Sequence, residues 1–491
     1  PKSGNILVHG DNLEALKALL PFYAGRVKCI YIDPPYNTGS AFEHYDDNLE
    51  HSTWLDMMYP RLKLLRDFLR EDGVMFCHID DEESAYLKVV MDEIFGRKNY
   101  CGQIVWEKKK KPSFLNVNMG CVTEYIHAYA KDRKCSPAFI GGVTTAGKKY
   151  PFNNAGNSLG VLHFPAGYVE FNCRDQVFEP QDMSGGNIKT ELLDRLEVVN
   201  GRNVGDFRLK GEWRYSQDTL NEIIKANERI VISKAPFRPN HIKSGGDPKK
   251  MKNLLTVESG MSTYEDSSAE GIELFGAEAF DYPKPEQLIG LLISAVTDKG
   301  DLVLDSFLGS GTTSAVSMKM ERRTIGIEMG EHAKTHCAVR LKKVVDGEQG
   351  GISAAVVWQG GGGFKFYELG EPLLDENGAI SEGIDFDTLA AHIWWRETGS
   401  AWDVATRNGT FLGVHDGVAY AMLYNGVLHD RSYAGGNVLT PKTMRIIRED
   451  IGAAKYSRLV VYGECTKLGA AKLREENVEF RQTPYDIVTR R

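Results

Sequence analysis

The chain has 491 residues, 42% hydrophobic and 26% charged, with a formal net charge of −8; that balance excludes a disordered or fibrous chain, and the length suggests about three domains. No apolar run long enough for a membrane span and no secretory leader is visible, and the chain opens on PKSGNILVHG without a Met, so its numbering is expected to begin inside a longer chain. Eight cysteines without a CxxC pair argue against a disulfide framework and a zinc ribbon, so no metal is expected and the reducing cytoplasm is the expected location.

In chain order, residues 5–9 (NILVH) read as a short apolar strand, and 13–20 have helical spacing behind a cap at Asp11 or Asn12. Val27–Ile32 (VKCIYI) is a second strand, stopped by Pro34 and Pro35. Trp54, Met58, Leu62, Leu65 and Leu69 recur at helical spacing, with Gly73 as a C-cap signal. Residues 74–79 (VMFCHI) form a third buried strand and 85–95 another helix. From 101 to 260 the pattern turns irregular. The alternation then resumes with a helix at 287–296, a strand at 302–304, a helix at 312–320, a strand at 324–328 and a helix at 331–345. Strands alternating with helices predict an α/β fold with a doubly wound, mostly parallel sheet, here interrupted by an insert. Past the four-glycine break Gly360 to Gly363, residues 364–491 predict a separate α/β domain with strands near 414–423 and 459–461.

Charge is unevenly spread: residues 1–100 carry about −6, 101–260 about +7, 261–345 about −4 and 346–491 about −5. The basic segment holds Lys108, Lys109, Lys110 and Lys111 in a row and a second cluster at Lys249, Lys250 and Lys252. Aromatics such as Trp106, Phe114, Phe207, Trp213 and Tyr215 are interleaved. A charge run alone more often marks a solvated face. Polyanion binding is the functional reading, since side chains that neutralise phosphates release condensed counterions.

Two motifs carry chemistry. Asp33-Pro34-Pro35-Tyr36 stands at the C-terminal end of an apolar strand, where ligands of open α/β sheets bind. Consecutive prolines leave two peptide units without donors, so their carbonyls can accept from something else. With the Asp carboxylate and the Tyr ring they suit a planar group that carries an exocyclic NH2. Asn37-Thr38-Gly39 follows. The second motif runs Asp305-Ser306-Phe307-Leu308-Gly309-Ser310-Gly311-Thr312-Thr313 and opens a helix, where glycines permit close approach of a ligand to the backbone. A dinucleotide fingerprint would need a third glycine at Ser314. Glu328, at the end of the next strand, suits the two hydroxyls of a ribose, although an acid there also favours the start of the following helix.

As a set, IDPPYNTGS, LDSFLGSGTT, TIGIE, FDYPKPEQLI and the opening VHGDNLEAL resemble amino-group DNA methyltransferases that use S-adenosylmethionine. DPPY first, then a large insert, then PKP and FxGxG is the permuted order of their β group. HSTWLDMMYPRLKLLRDFL, GVMFCHIDDEE, LHFPAG, GEWRYS and GGGFKFYELG further resemble the modification (Mod) subunits of type III restriction–modification systems. The resemblance covers about residues 5–367. It implies a permuted methyltransferase fold with a catalytic half at 1–100, an inserted target-recognition region at 101–260, a cofactor half at 261–345 and a C-terminal domain at 364–491 for dimerisation or partner contact.

By the same resemblance Asp33, Pro34, Pro35 and Tyr36 are catalytic, with Tyr36 stacked on a base flipped out of duplex DNA. Phe307, Gly309, Gly311 and Thr312, with Asp305, shape the S-adenosylmethionine pocket, and Glu328 takes its ribose. Asp11 lies near the adenine unless it only caps its helix. Lys284 and Pro285 lie against the methionine end unless Lys284 is a surface lysine. Cytosine C5 chemistry needs a Cys after Pro, and no Pro-Cys pair occurs. Asp at the first motif position favours adenine N6 over cytosine N4. Trp213, Arg214 and Lys108 to Lys111 are the expected DNA contacts. No P-loop GxxxxGK[ST] occurs, so a helicase–nuclease restriction subunit is expected to be a separate chain, and the resemblance implies a homodimer. The competing readings are a solitary N6-adenine or N4-cytosine methyltransferase, a DNA-recognition scaffold that delivers a nuclease, and an RNA adenine methylase.

Overall fold

The computed structural model describes residues 4–37, 51–112, 118–234, 236–276, 280, 283–374, 380–427, 430, 432 and 436–483. Thr38, Gly39 and Phe114, named above, lie outside these. The catalytic sheet is built from β1 (Ile6–His9), β2 (Val27–Ile32), β3 (Leu69–Ile79), β4 (Tyr100–Glu107), β5 (Thr123–Ala130), β6 (Leu254–Leu255), β7 (Leu302–Asp305), β8 (Arg323–Glu328) and β9 (Lys365–Glu368). Their order is β6-β4-β5-β3-β2-β7-β8-β1-β9. All the strands from β3 to β9 in that order are parallel. Among the described strands β5 alone runs against the rest, pairing antiparallel with both β3 and β4. Every residue of β2 is buried, as expected of a central parallel strand covered on both faces.

Helices α1 (Asn12–Tyr23), α2 (His51–Phe68), α3 (Ser84–Phe95), α4 (Tyr264–Phe275), α5 (Glu286–Val296) and α6 (Thr312–Lys319) belong to the same unit. On α2, Trp54, Met58, Leu62 and Leu65 are wholly buried, the stripe the spacing predicts. Gly73 does not cap that helix. The chain passes directly from Phe68 into β3, and Gly73 sits inside the strand, where the register with β2 slips. A Cβ there would meet the carbonyl oxygens of Arg70 and Val27 at 2.9 Å. The helix expected at 331–345 begins instead with a π-helical turn, Ala333–Cys337, before Ala338–Val345.

The chain divides into two compact units, residues 1–139 with 252–491, and residues 140–251. The insert is thus shorter than the 101–260 expected from sequence. Residues 101–139 fall with the catalytic sheet because β4 and β5 extend it as an antiparallel hairpin. Only about +3 of the expected charge lies in residues 140–251. This unit has a seven-stranded and a four-stranded sheet. Both feed one core that includes Phe152, Phe164, Phe171, Phe207 and Phe237. Residues 364–491 fall in the first unit: β9 joins the edge of the catalytic sheet beside β1, and the N–H of Trp402 donates to Pro21 O of α1 at 2.9 Å. They also form their own four-stranded sheet, Phe411–His415, Val418–Met422, Arg458–Gly463 and Val478–Gln482. Among the described residues no helix is long and apolar enough to cross a membrane.

Candidate active site

The chain winds from β2 to β3 on one side and from β7 to β8 on the other, so the sheet reverses its winding between the neighbours β2 and β7. That is where ligands of open α/β sheets bind, beyond the carboxyl ends of the strands. Asp33 follows β2 directly, Asp305 ends β7, Glu328 ends β8 and Asp11 follows β1. Four acids far apart in sequence are thereby gathered at one edge.

At the β2 end, Tyr36 Oη donates to Asp33 Oδ1 at 2.6 Å and lies 3.3 Å from Glu124 Oε2. Lys284 Nζ donates to Asp33 Oδ2 at 2.5 Å, and the ammonium stands 5.2 Å from the Tyr36 ring centroid and 5.3 Å from that of Tyr264. Lys284 is therefore no surface lysine: its side chain is 7% exposed. The Pro35 carbonyl is taken by the Trp54 indole N–H at 2.7 Å, so it is not one of the carbonyls open to a ligand. Asn37 then adopts a left-handed φ of 61° and donates to Glu83 at 2.9 Å.

Beneath Tyr36 lies a buried cluster that the sequence reading missed. Glu124 of β5 is 2% exposed and accepts from Tyr264 Oη at 3.0 Å and Lys108 Nζ at 3.0 Å. His78 Nε2 lies 2.9 Å away, and its Nδ1 faces Tyr31 Oη at 2.8 Å. Burial pushes the Glu124 carboxyl up, but Lys284, His78 and Lys108 outweigh it and hold the group well below the usual carboxylate range. Burial, followed by Lys284, lowers His78. Burial and the nearby carboxylates raise Tyr31, Tyr36 and Tyr264 far above an ordinary phenol. One acidic residue in the otherwise apolar and aromatic run TEYIHAYA was the available signal, since a lone buried charge must have partners.

On the β7 side, Gly311 has a φ of 83° and begins α6, which explains glycine there. Ser314, in place of a third glycine, is fully buried and lies 3.0 Å from Thr324 Oγ1 of β8. Glu328 accepts from the N–H groups of Gly309 (2.7 Å), Met329 (2.7 Å) and Gly330 (3.0 Å). Burial raises this carboxyl, but His332 and those N–H groups outweigh it and lower its pKa. Asp305 is the opposite case. Burial outweighs its bonds from Thr313 and the Phe307 N–H, and its carboxyl is pushed up to about 7.

Two cavities meet at Phe307. One, of about 410 Å³, is lined by Asp33, Lys284, Asp305, Phe307, Gly309 and Thr312 among others. The other, of about 380 Å³, is lined by Asp11, Asn12, Arg61, Ser306, Phe307 and Glu328 among others. Asp11 does cap α1, through Leu13 N at 2.9 Å, and also accepts from Arg61 at 3.1 Å while lining the second cavity. Its cap role leaves it on the cavity wall. Among the described residues the Ser306 hydroxyl in that cavity is buried without a hydrogen-bond partner, the kind of orphan a bound ligand satisfies. Pro285 precedes α5 as its N-cap. The donor set fits an elongated ligand with hydroxyls at Glu328 and a cation near Asp33 and Asp305.

Residues 27–339, well over half of the chain, match the model of the DNA methylase family of N6- and N4-type enzymes. The chain belongs to that family. The probable type III restriction-modification enzyme HindVI Mod subunit of Haemophilus influenzae is 32% identical over 422 residues, 74% of this chain and 54% of that protein. The type III StyLTI Mod subunit of Salmonella typhimurium is 29% identical, over 66% of this chain and 51% of that protein. The type II methyltransferase M.KpnI of Klebsiella pneumoniae is 26% identical, over 69% of this chain and 84% of that protein. The chain spans about half the length of the two Mod subunits.

The expected DNA contacts separate. Trp213 is 8% exposed, packs in the core of residues 140–251 and donates its indole N–H to Gly160 O at 2.8 Å, so it builds that core and presents no reading face. Arg214 beside it is exposed. Lys108 is turned inward to Glu124, and Lys110 pairs with Asp266 at 3.1 Å. Lys111 is exposed and Lys109 partly so.

Proposed function

We propose that the chain transfers a methyl group from S-adenosylmethionine to N6 of an adenine flipped out of duplex DNA, as the modification and recognition subunit of a type III restriction–modification system. The observation that carries this reading is the apposition of Asp33 and Tyr36, at the end of β2, to the Phe307–Thr312 loop at the end of β7. Glu328, the orphaned Ser306 hydroxyl and the Gly309–Gly311 loop would hold the nucleoside part of the cofactor, and Asp33 and Asp305 would face its sulfonium. The cofactor supplies an electrophilic methyl group. An exocyclic amine is a poor nucleophile because its lone pair is delocalised into the ring. Asp33 and the Pro34 carbonyl, by accepting its hydrogens, favour a pyramidal nitrogen, and Tyr36 supplies the stacking face for a base paid out of the helix at a few kcal/mol. Alignment does the rest. The adenine choice rests on Asp at the first motif position, and the type III role on the Mod relatives. A second copy of this chain and a helicase–nuclease chain are the partners it implies. Coverage of 84% of a type II methyltransferase favours, as the second reading, a solitary enzyme without a restriction partner.

The test is incubation with tritiated S-adenosylmethionine and random-sequence duplex DNA, digestion to nucleosides and chromatography. Label in N6-methyladenine is expected. Label in N4-methylcytosine overturns the base, and label on RNA alone, or on no nucleic acid, overturns the activity.

Two further results are expected. Asp305 is largely protonated below its pKa of about 7 and an anion above it, whereas the sulfonium is cationic at every pH. Affinity for S-adenosylmethionine should therefore rise from about pH 6 to about pH 8, and affinity for the uncharged thioether S-adenosylhomocysteine should rise less. Calorimetric titration of both ligands checks this; parallel pH profiles would remove Asp305 from the sulfonium's surroundings. Next, replacing Lys109 and Lys111 by Ala should weaken duplex binding and flatten its log–log salt slope by about 1 to 2. An unchanged slope returns both to a solvated face.

A further inference from the structure

The Asp33 carboxylate is contested. Asp33 has to accept an amino hydrogen from the target, yet its Oδ1 already binds the Tyr36 hydroxyl at 2.6 Å and its Oδ2 binds the Lys284 ammonium at 2.5 Å. Oδ1 keeps a second lone pair, but an amine that binds it competes with the phenol, whose single proton is committed to that oxygen, and weakens the strongest bond of a part-buried hydroxyl. Left unpaired, that hydroxyl would carry a desolvation penalty that opposes base entry.

The same hydroxyl stands 3.3 Å from a second carboxylate, Glu124 Oε2. This group is wholly enclosed, and four neighbours hold its charge in place. Tyr264 and Lys108 donate to it at 3.0 Å, His78 stands at 2.9 Å, and the Lys284 charge favours its ionised form. Nothing in the methyl-transfer chemistry needs a second buried acid at that depth. It lies on β5, whose hairpin with β4 places it under the DPPY turn, and it is a second acceptor within 3.3 Å of the Tyr36 hydroxyl.

We propose that Glu124 is a positioning residue that receives the Tyr36 hydroxyl when the target amine takes Asp33 Oδ1. The hydroxyl proton swings from one carboxylate to the other. No O–H bond is broken, the charges of Asp33 and Glu124 do not change, and Asp33 Oδ1 is released for the substrate. The inference rests on the methyl-transfer reading above and adds to it a residue outside the DPPY and FxGxG motifs.

A double-mutant cycle on the full chain tests it, with tritium transfer to unmethylated, PCR-amplified random-sequence duplex DNA as the readout. Tyr36→Phe keeps the ring and removes the hydroxyl whose release is at issue. Glu124→Gln in the Tyr36 protein leaves only a neutral amide oxygen, a weaker acceptor than the carboxylate, and should lower kcat by about tenfold, with KM for S-adenosylmethionine unchanged. In the Tyr36→Phe protein the same change should cost less than about threefold, because no hydroxyl needs a second acceptor. Equal losses in both backgrounds would mean that Glu124 supports the fold alone, and would overturn the proposal. If circular dichroism shows Glu124→Gln to be unfolded, the cycle is run with Glu124→Asp, which keeps the charge but withdraws the carboxylate by one methylene. Its loss must likewise depend on the Tyr36 hydroxyl. Absence of transfer by the wild-type protein would overturn the methyl-transfer reading itself, whereas an active wild type with a multiplicative cycle would overturn only the exchange.

Discussion

Asp33→Ala should abolish methyl transfer, with kcat falling by about 10³-fold or more, because the group proposed to accept the amino hydrogens is gone. From sequence alone, Asp33 reads as a substrate acceptor whose loss should leave cofactor binding untouched. The ion pair changes that expectation. Lys284 is enclosed and bonded to Asp33 Oδ2 at 2.5 Å, so truncating the acid strands a cation in the cavity proposed to take the sulfonium. A like charge within a few ångströms of a cationic ligand in a half-buried site costs on the order of 1 kcal/mol or more. S-adenosylmethionine should accordingly bind about tenfold more weakly to Asp33→Ala, and S-adenosylhomocysteine nearly as before. Adding Lys284→Met should restore cofactor affinity and leave transfer absent. Calorimetry with both ligands, next to the tritium assay, separates the electrostatic part from the catalytic part. Near-normal turnover by Asp33→Ala would show that the catalytic assignment is wrong. Cofactor affinity that stays low in the double variant would show that Asp33 contacts the ligand itself.

How much of this was legible in the chain depends on how local each signal was. The strands ending at Asp33, Asp305 and Glu328 could be read because each is a short apolar run followed by Pro or Gly, a signal complete within about ten residues. The cluster around Glu124 could not be assembled that way. Its members come from β2, β3, the residue just after β4, β5, α4 and the segment before α5, and only sheet pairing brings them together. Partial signals did exist. Ile104, Trp106 and Lys108 share one face of an extended chain at period two, and pairing continues past β4 through Lys108 N to Val122 O at 2.8 Å, so Lys108 follows its buried neighbours inward. Lys111, beyond that pairing, stays exposed. Four identical residues in a row thus have different environments. Trp213 was misread for the converse reason: an aromatic beside an arginine suits a reading head, but its indole N–H finds a carbonyl in the core. The insert looked longer than it is because the β4–β5 hairpin lacks the strand–helix alternation that marks the rest of the sheet.

Lys319→Met should be among the most destabilising single substitutions in the cofactor half, although residue 319 touches neither cavity. Its ammonium is 1% exposed and donates to Glu286 Oε1 at 3.0 Å, Oε2 at 2.7 Å and Gly350 O at 3.0 Å, with Glu348 also against it. Glu286 in turn accepts from Arg340 Nη2 at 2.9 Å and Ile352 N at 3.0 Å. Lys319 and Arg340 face Glu286 and Glu348, with Glu270 a further carboxyl beside them that burial, then Glu286, pushes up to about 6. Removing one cation leaves an excess buried anion, at a cost of about 3–5 kcal/mol, and the melting temperature should fall by about 5–10 °C. The sign with pH follows from Glu286. Burial pushes its carboxyl up, but Arg340 and Lys319 outweigh burial and keep it below its ordinary value. Such a group contributes stability above its unfolded pKa and loses it as pH falls through the folded pKa. Without Lys319 part of that lowering disappears, so the variant's deficit should be largest near pH 7 and shrink toward about pH 4.5, where Glu286 can take up a proton. The cofactor loop should register the same change, because Arg340 Nη1 also donates to Thr312 Oγ1 at 2.8 Å, at the start of α6. With Glu286 pulled more strongly onto Arg340, that bond loosens and cofactor affinity falls together with stability. Glu348→Gln in the Lys319→Met background rebalances the charge and should recover part of both. Melting curves at the two pH values, with cofactor titrations at neutral pH, decide it: a deficit below about 1 kcal/mol, or one independent of pH, would mean that the cluster is solvated in solution.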